Sequence, residues 1–407
     1  MERREFLRRG ALLAGGTLLS TSVAFAHADT LSARFVLVIL RGALDGLASV
    51  PPLADPDYAE LRRELALHPA GDAGGALPLN GFFGLHPSLG FLHDCYSARE
   101  LVVLHALASP YRERSHFDGQ DVLENGTPRP HALQTGWLNR ALAAAPARGA
   151  REAGVSVGQN VPLVMRGPAS VTSWSPSKLV ALDEETLARV TDLYAGDALL
   201  ASRLADALAA DAIASGEAEQ AAMTMPQEAA SGAKGKARYA DVVRAAAAFL
   251  RPEEGPKVAV FDTSGWDTHA NEGGAQGQLA GRLAELDAGL SMLRQELGPV
   301  WQDTAVLLLT EFGRTAAING THGTDHGTAT AAFLLGGAVA GGRVIVDWPG
   351  LSRRALYQGR DLAPTLDVRS VLKGILAEHL TVPSRALELD VFPDSAGARA
   401  LRGLTRT

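Results

Sequence analysis

Cysteine is almost missing from this chain: Cys95 is the single one in 407 residues. One cysteine excludes an intramolecular disulfide, so the core must hold the fold even in an oxidising compartment. Aromatic residues are few, at 6%, and no basic stripe interleaves with them. That excludes an ordinary nucleic-acid surface. Neither sign of charge dominates, with 38 Lys and Arg against 45 Asp and Glu and a formal net charge of −7. There is no Gly-x-Ser-x-Gly elbow for a hydrolytic triad and no Gly-rich phosphate loop of the nucleotide-binding type. Past the N-terminus no apolar run reaches the roughly 20 residues that a membrane span needs, and no internal repeat is visible.

What is present begins with an address. Arg3-Arg4-Glu5-Phe6-Leu7 is a twin-arginine signature, followed by an apolar run from Ala11 to Ala26. Ala24-Phe25-Ala26 or Ala26-His27-Ala28 offers a small-x-small cleavage site. Residues 1–28 therefore read as a signal peptide for the twin-arginine export machinery, and the expected location is periplasmic. Its removal takes away four Arg and two Glu, which moves the net charge from −7 to −9. Folded proteins, often with a cofactor loaded, use that route.

Residues 29–407 read as one α/β domain with a mostly parallel central sheet and helices on both faces. Arg34 to Leu40, Leu101 to His105, Lys257 to Phe261 and Ala305 to Thr310 are short apolar runs that suit strands buried on both faces. Thr328 to Leu335 and Arg343 to Val346 are further strands. Helices are expected at Ser88–Arg99, from the loop at Ser115 through Glu124, at Thr135–Ala145, at Gln278–Leu297 and at Leu366–Leu380. Residues 51–87 form an irregular excursion. From about 183 to 250 the chain is Ala-rich and helical by composition, broken at Pro226, and reads as a helical insertion.

Each of four strand ends is followed by ligand-competent residues. Asp45 follows the first strand, Ser115-His116 the second, Asp267 and His269 the third, and Glu311, Arg314, Asp325 and His326 the fourth. Ligands in open α/β sheets bind beyond the carboxyl ends of strands. Each signal has a plain alternative. Asp45 before Gly46 suits a turn, Ser115 with Asp118 suits a capping box, and Asp267 with His269 or Asp325 with His326 suits a loop hydrogen bond. Their coincidence on one edge favours a divalent metal site. Mixed His and carboxylate ligands suit zinc, manganese or iron, and all-oxygen sites suit magnesium or calcium.

Leu-Arg-Gly-Ala-Leu-Asp-Gly (40–46), Ser-His-Phe-Asp-Gly-Gln-Asp (115–121), Gly-Trp-Asp-Thr-His (265–269), Thr-Glu-Phe-Gly-Arg-Thr (310–315) and Gly-Thr-Asp-His-Gly (323–327) together resemble a bacterial exported family. It is domain-of-unknown-function family 1501, and it is similar to the alkaline phosphatase and sulfatase superfamily. The resemblance implies that Asp45 is the acid after the first strand and Ser115 the hydroxyl nucleophile. It implies that Asp267, His269 and His326 are metal ligands. Where the superfamily has Asp-His after a central strand, this chain has Glu311-Phe312, so His116 or Asp325 would replace the lost imidazole. Cys95-Tyr-Ser-Ala-Arg99 is similar to the sulfatase stretch that yields formylglycine, but its third position and its place before a strand differ, so Cys95 reads as a buried structural residue.

The expectation is a metal-dependent hydrolase of a small anionic ester, phosphate or sulfate, with Ser115 or a bound water as nucleophile and Arg314 holding the anion. The competing expectation is a non-catalytic relative that binds a metal, an envelope ligand or an assembly partner in the same cleft.

Overall fold

A computed structural model describes residues 32–72, 74–146, 153–176, 184–222 and 233–406. The signal peptide expected at 1–28, and Pro226, lie outside the described residues.

Among the described residues nine strands form one sheet. In chain order they are β1 (Arg34–Arg41), β2 (Leu101–Ala108), β3 (Gly154–Val157), β4 (Val171–Trp174), β5 (Val258–Ser264), β6 (Thr304–Leu309), β7 (Thr330–Leu335), β8 (Arg343–Ile345) and β9 (Leu366–Asp367). The spatial order is β8-β2-β7-β6-β1-β5-β3-β4, with β9 also on β2. All pairings are parallel except those of β7 with β2 and β6. The exception has a local cause. No crossover helix lies between β6 and β7, and without one the chain cannot return to the sheet's other end before starting a strand. It therefore reverses, and the whole loop 310–329 stays at the carboxyl edge.

β1 shows how the sequence makes both faces of the sheet. Val36, Val38 and Leu40 join one buried cluster, while Phe35, Leu37 and Ile39 join the other, which is the period of two that a strand imposes. The connecting helices are α1 (Gly46–Ser49), α2 (Tyr58–Arg62), α3 (Gly90–Ser97), α4 (His116–Asn125), α5 (Trp137–Ala144), α6 (Glu184–Tyr194), α7 (Ala198–Ala222), α8 (Ala233–Leu250), α9 (Gln278–Leu297) and α10 (Val368–Glu378). Leu283, Leu286, Leu290 and Leu293 of α9 cover the first face, and Val371, Leu372 and Ile375 of α10 the second. Each such leucine contributes roughly 1.5–3 kcal/mol by leaving water.

The Ala-rich segment divides in two. α8 packs Val243, Ala246 and Phe249 into the first cluster, whereas α6 and α7 leave Leu193, Leu199 and Leu208 exposed. Leu366 opens as a short strand, and the last expected helix starts only at Val368, capped by Asp367. Cys95 is buried on α3, and burial pushes its thiol up to about 12, as a structural cysteine requires. Among the described residues, no helix is long and apolar enough to cross a membrane.

Candidate metal centre

β5 and β6 both pair in parallel with β1, so the carboxyl ends of these three strands lie side by side. Gly42 lets them close. Its φ is +123°, and a Cβ there would stand 2.8 Å from the backbone nitrogen of Asp267. Its own N–H donates to Glu311 Oε1 at 3.0 Å. Beyond β6 the loop folds on itself, with Gly313 N donating to Thr328 O, Gly327 N to Gly313 O and Thr315 N to Asp325 O. That pairing carries His326 back beside Arg314.

His116, Asp267 and His326 converge so that their ligand atoms all lie within 4.8 Å of one another. His116 Nε2 is 2.9 Å from His326 Nε2 and 3.4 Å from Asp267 Oδ2. His269 joins the group, its Nε2 standing 3.0 Å from His326 Nε2 and 3.1 Å from Asp267 Oδ1. Each ring has an acceptor at its far nitrogen. His116 Nδ1 lies 2.7 Å from Glu311 Oε1, His269 Nδ1 3.3 Å from Asp325 Oδ1, and His326 Nδ1 2.9 Å from the Arg114 carbonyl. A carbonyl only accepts, so His326 carries its proton on Nδ1 and turns the Nε2 lone pair inward. The same reading holds for His116 against the Glu311 carboxylate. Arg114 adopts a left-handed backbone, φ 62°, a conformation uncommon outside glycine.

Glu311 and Arg314, which back His116 and Asp267, are buried. Glu311 Oε1 also accepts from Gln120 at 3.1 Å, and Oε2 accepts from Thr310 at 2.9 Å. Burial works to raise the Glu311 pKa, but the bonds from His116 and Gln120 outweigh it and the group is held low. The Glu311 contact in turn raises the His116 pKa, whereas burial, and then the nearby His116, lower that of His326. Burial would raise Asp267 as well, but Arg314 overrides it and keeps the carboxylate low. Phe312 stacks on His116 at 5.0 Å between centroids.

Four expected residues, Glu311, Asp45, Arg314 and Asp325, sit differently from the plan read in the sequence. Glu311 is directed to His116, Gln120, Thr310 and the Gly42 N–H and backs the cluster instead of facing it. Asp45 is buried, accepting from the Ala48 N–H at 2.9 Å and pairing with Arg62 at 2.6 Å. Arg314, expected to hold an anion, is itself buried. Its guanidinium donates to Asp267 at 2.5 Å and to the hydroxyl and carbonyl of Thr324. Asp325 supports His269. Ser115 occupies the N-cap position of α4 beside His116, yet its side chain makes no capping bond, so the capping box with Asp118 does not form.

Sequence reasoning passed over Glu272 and Arg62. Arg62 Nη2 lies 3.5 Å from Glu272 Oε1, and Glu272 Oε2 accepts from Thr268 at 3.0 Å and Thr324 at 2.8 Å. Burial, and then the Asp45 charge, push Glu272 up to about 8. A run of buried groups, Arg314, Thr324, Asp45, Glu272 and Arg62, therefore leads inward from the exposed carboxylate of Asp267. Arg62 lay within the segment read as irregular, and Glu272 stands among glycines and alanines; neither carried a motif.

The family model described as "Protein of unknown function (DUF1501)" matches residues 102–389. Among solved structures, the chain is similar to the C-terminal periplasmic domain of EcEptC from Escherichia coli in complex with Zn. The likeness has 9% identity and a TM-score of 0.31, over 75% of this chain and 72% of that one. No curated protein matches the chain.

Proposed function

The chain belongs to the family described as "Protein of unknown function (DUF1501)", and from that premise and the cluster's geometry we propose an exported, metal-dependent hydrolase of a small anionic ester, phosphate or sulfate. One observation carries the reading. Two imidazole nitrogens with inward lone pairs, on His116 and His326, stand 2.9 Å apart, with a third, on His269, 3.0 Å from His326. Two lone pairs repel, so a shared proton or a cation must stand between them, and a cation serves all three imidazoles and Asp267 at once. For a tetrahedral zinc with bonds of about 2.0–2.1 Å, ligand nitrogens would be about 3.3 Å apart, close to these separations.

His116, His269, His326 and Asp267 would hold the cation, with Glu311, Asp325 and the Arg114 carbonyl fixing the rings, the support that metal-bound histidines regularly have. The nitrogen-rich donor set suits zinc or manganese better than magnesium or calcium. When bound, such a cation supplies Lewis acidity toward an ester oxygen. Asp267 is held ionised by Arg314, and Ser115 places a hydroxyl next to His116 in the chain. The likeness of Asp45, Ser115, Asp267, His269 and His326 to the alkaline phosphatase and sulfatase pattern belongs to this proposal, as does delivery to the periplasm by the Arg3-Arg4 signal.

One observation favours the second reading, a non-catalytic binder of a metal or an envelope ligand: the guanidinium expected to hold the anion is buried and bonded to Asp267 and Thr324. Elemental analysis of the exported protein, followed by a panel of phosphate and sulfate esters across pH, separates the two. Metal with turnover supports the hydrolase; metal without turnover supports the binder. Protein purified without chelator that carries no metal, and takes up none when offered zinc or manganese, overturns the hydrolase and the metal binder alike and leaves only a metal-free binder of an envelope ligand.

A further inference from the structure

The anion of the proposed ester has lost its expected holder, since Arg314 is buried against Asp267 and Thr324. Two other arginines flank the cluster at His326. Arg114 stands two residues before His116, and its carbonyl accepts from His326 Nδ1 at 2.9 Å. Arg360, in the loop between β8 and β9, reaches the same histidine and donates from Nη2 to the His326 carbonyl.

Both guanidinium groups share one carboxylate. Asp361 is fully buried; its Oδ2 accepts from Arg114 Nε at 2.9 Å and its Oδ1 from Arg360 Nε at 2.8 Å. The backbone fixes that carboxylate, with Tyr357 N donating to Asp361 O at 2.8 Å and Asp361 N to Tyr357 O at 3.0 Å. One negative charge between two positive ones leaves one positive charge over. Gln358, which accepts from Arg114 Nη2 at 2.7 Å, is neutral and does not cancel it. Among the described residues Nη1 of each guanidinium meets no acceptor, and the side chains of Arg114 and Arg360 keep 20% and 45% exposure. Forks already held at one edge present their remaining N–H groups in fixed geometry, which matches the oxygens of phosphate and sulfate.

The charge of the neighbouring chain points the same way. Residues 111–115 and 351–361 together hold five Arg against Glu113 and Asp361, a local surplus of three positive charges on a chain with a formal net charge of −7. Arg353 and Arg354 are exposed. Such a local field gathers anions. Asp267, the carboxylate of the cluster, is already matched by Arg314 at 2.5 Å and leaves the surplus intact.

We propose that Arg114 and Arg360, clamped by Asp361, form the anion-binding rim of the metal centre and hold the phosphate or sulfate oxygens of the substrate. The proposal rests on the hydrolase reading for the word substrate, but anion binding is read without turnover. Titration calorimetry with inorganic phosphate and, separately, with sulfate tests it on full-length wild type, Arg360→Gln and Arg114→Gln at matched metal content. Wild type should bind at least one of the two anions, and each variant should bind it tenfold or more weakly. Arg360 is half exposed and its loss leaves Asp361 paired with Arg114, so Arg360→Gln should melt like wild type and carries the test if Arg114→Gln does not fold. Arg360→Lys, which keeps the charge, should recover part of the affinity, a rescue that a structural role alone would not give. Wild type that binds neither anion overturns the rim, as does equally tight binding in Arg360→Gln. Arginine-dependent anion binding without ester turnover upholds the rim and sinks the hydrolase. Ester turnover whose KM is unmoved by Arg360→Gln sinks the rim and leaves the hydrolase standing.

Discussion

At the scale of single residues, the division of labour among the histidines and acids can be measured. His326→Ala removes an inward nitrogen, so metal content and ester turnover should fall together. Ser115→Ala removes a hydroxyl that makes no capping bond, so stability should change by less than the roughly 1 kcal/mol of an ordinary cap. Turnover should vanish if Ser115 is the nucleophile, and near wild-type turnover in that variant removes it from the mechanism. Glu311→Gln keeps the shape but weakens the acceptor behind His116, and metal affinity should drop about 10- to 100-fold; an unchanged dissociation constant would leave Glu311 a packing residue. Glu272 is a separate case. Its carboxyl is raised from 4.5 to about 8 by burial and by Asp45, so between those values the folded chain keeps a proton that the unfolded chain has released. Stability from this group is full below about 4.5 and is lost as pH rises through about 8. Glu272→Gln should therefore flatten the fall in melting temperature between pH 5 and 8, which thermal scans against pH will show or refute.

At the scale of elements, the end of β1 and the loop after β5 must touch for the cluster to exist. Gly42→Ala would set a methyl group 2.8 Å from the Asp267 backbone and force a side chain into a left-handed φ. Both effects act against the fold, and a loss of more than about 1 kcal/mol is expected. Because the displaced segment carries Asp267 and His269, metal content should fall with it; denaturant melts and elemental analysis on the same sample report the two losses. A variant that melts like wild type with full metal would show that the two segments close without this contact. The reversal of β7 works on the same scale. It keeps Glu311, Arg314, Asp325 and His326 on one edge, where a crossover would have carried the chain away.

At the scale of the whole molecule, the proposed cation, held by residues from α4, the loop after β5 and the loop after β6, would tie distant parts of the chain together. Carboxylates and imidazoles gathered without it repel and compete for protons. Binding to the folded state alone adds about 2.7 kcal/mol at a hundred times the dissociation constant. Chelator treatment of metal-loaded protein should therefore lower the melting temperature, and returning zinc or manganese should restore it. Equal melting temperatures before and after verified metal removal would reduce the cluster to a polar cleft.

Much of this was legible in the linear chain. Apolar runs such as Phe35–Leu40 and Ala305–Leu309 announced buried strands, because a strand covered on both faces needs no polar alternation. Asp267, His269 and His326 stood out because ligand-type residues crowded the same strand ends. The sequence by itself thus determined the fold class, the edge that bears the candidate site and the pool of groups that could line it. Which of them face inward was decided only in three dimensions. Asp45 and Glu311 are as acidic in the sequence as Asp267, yet one meets Arg62 and the other meets His116. Arg62 and Glu272 have no signature at all, since their pairing joins positions more than two hundred residues apart. A side chain's role depends on the partner it meets across the fold, and spacing along the chain does not specify that partner.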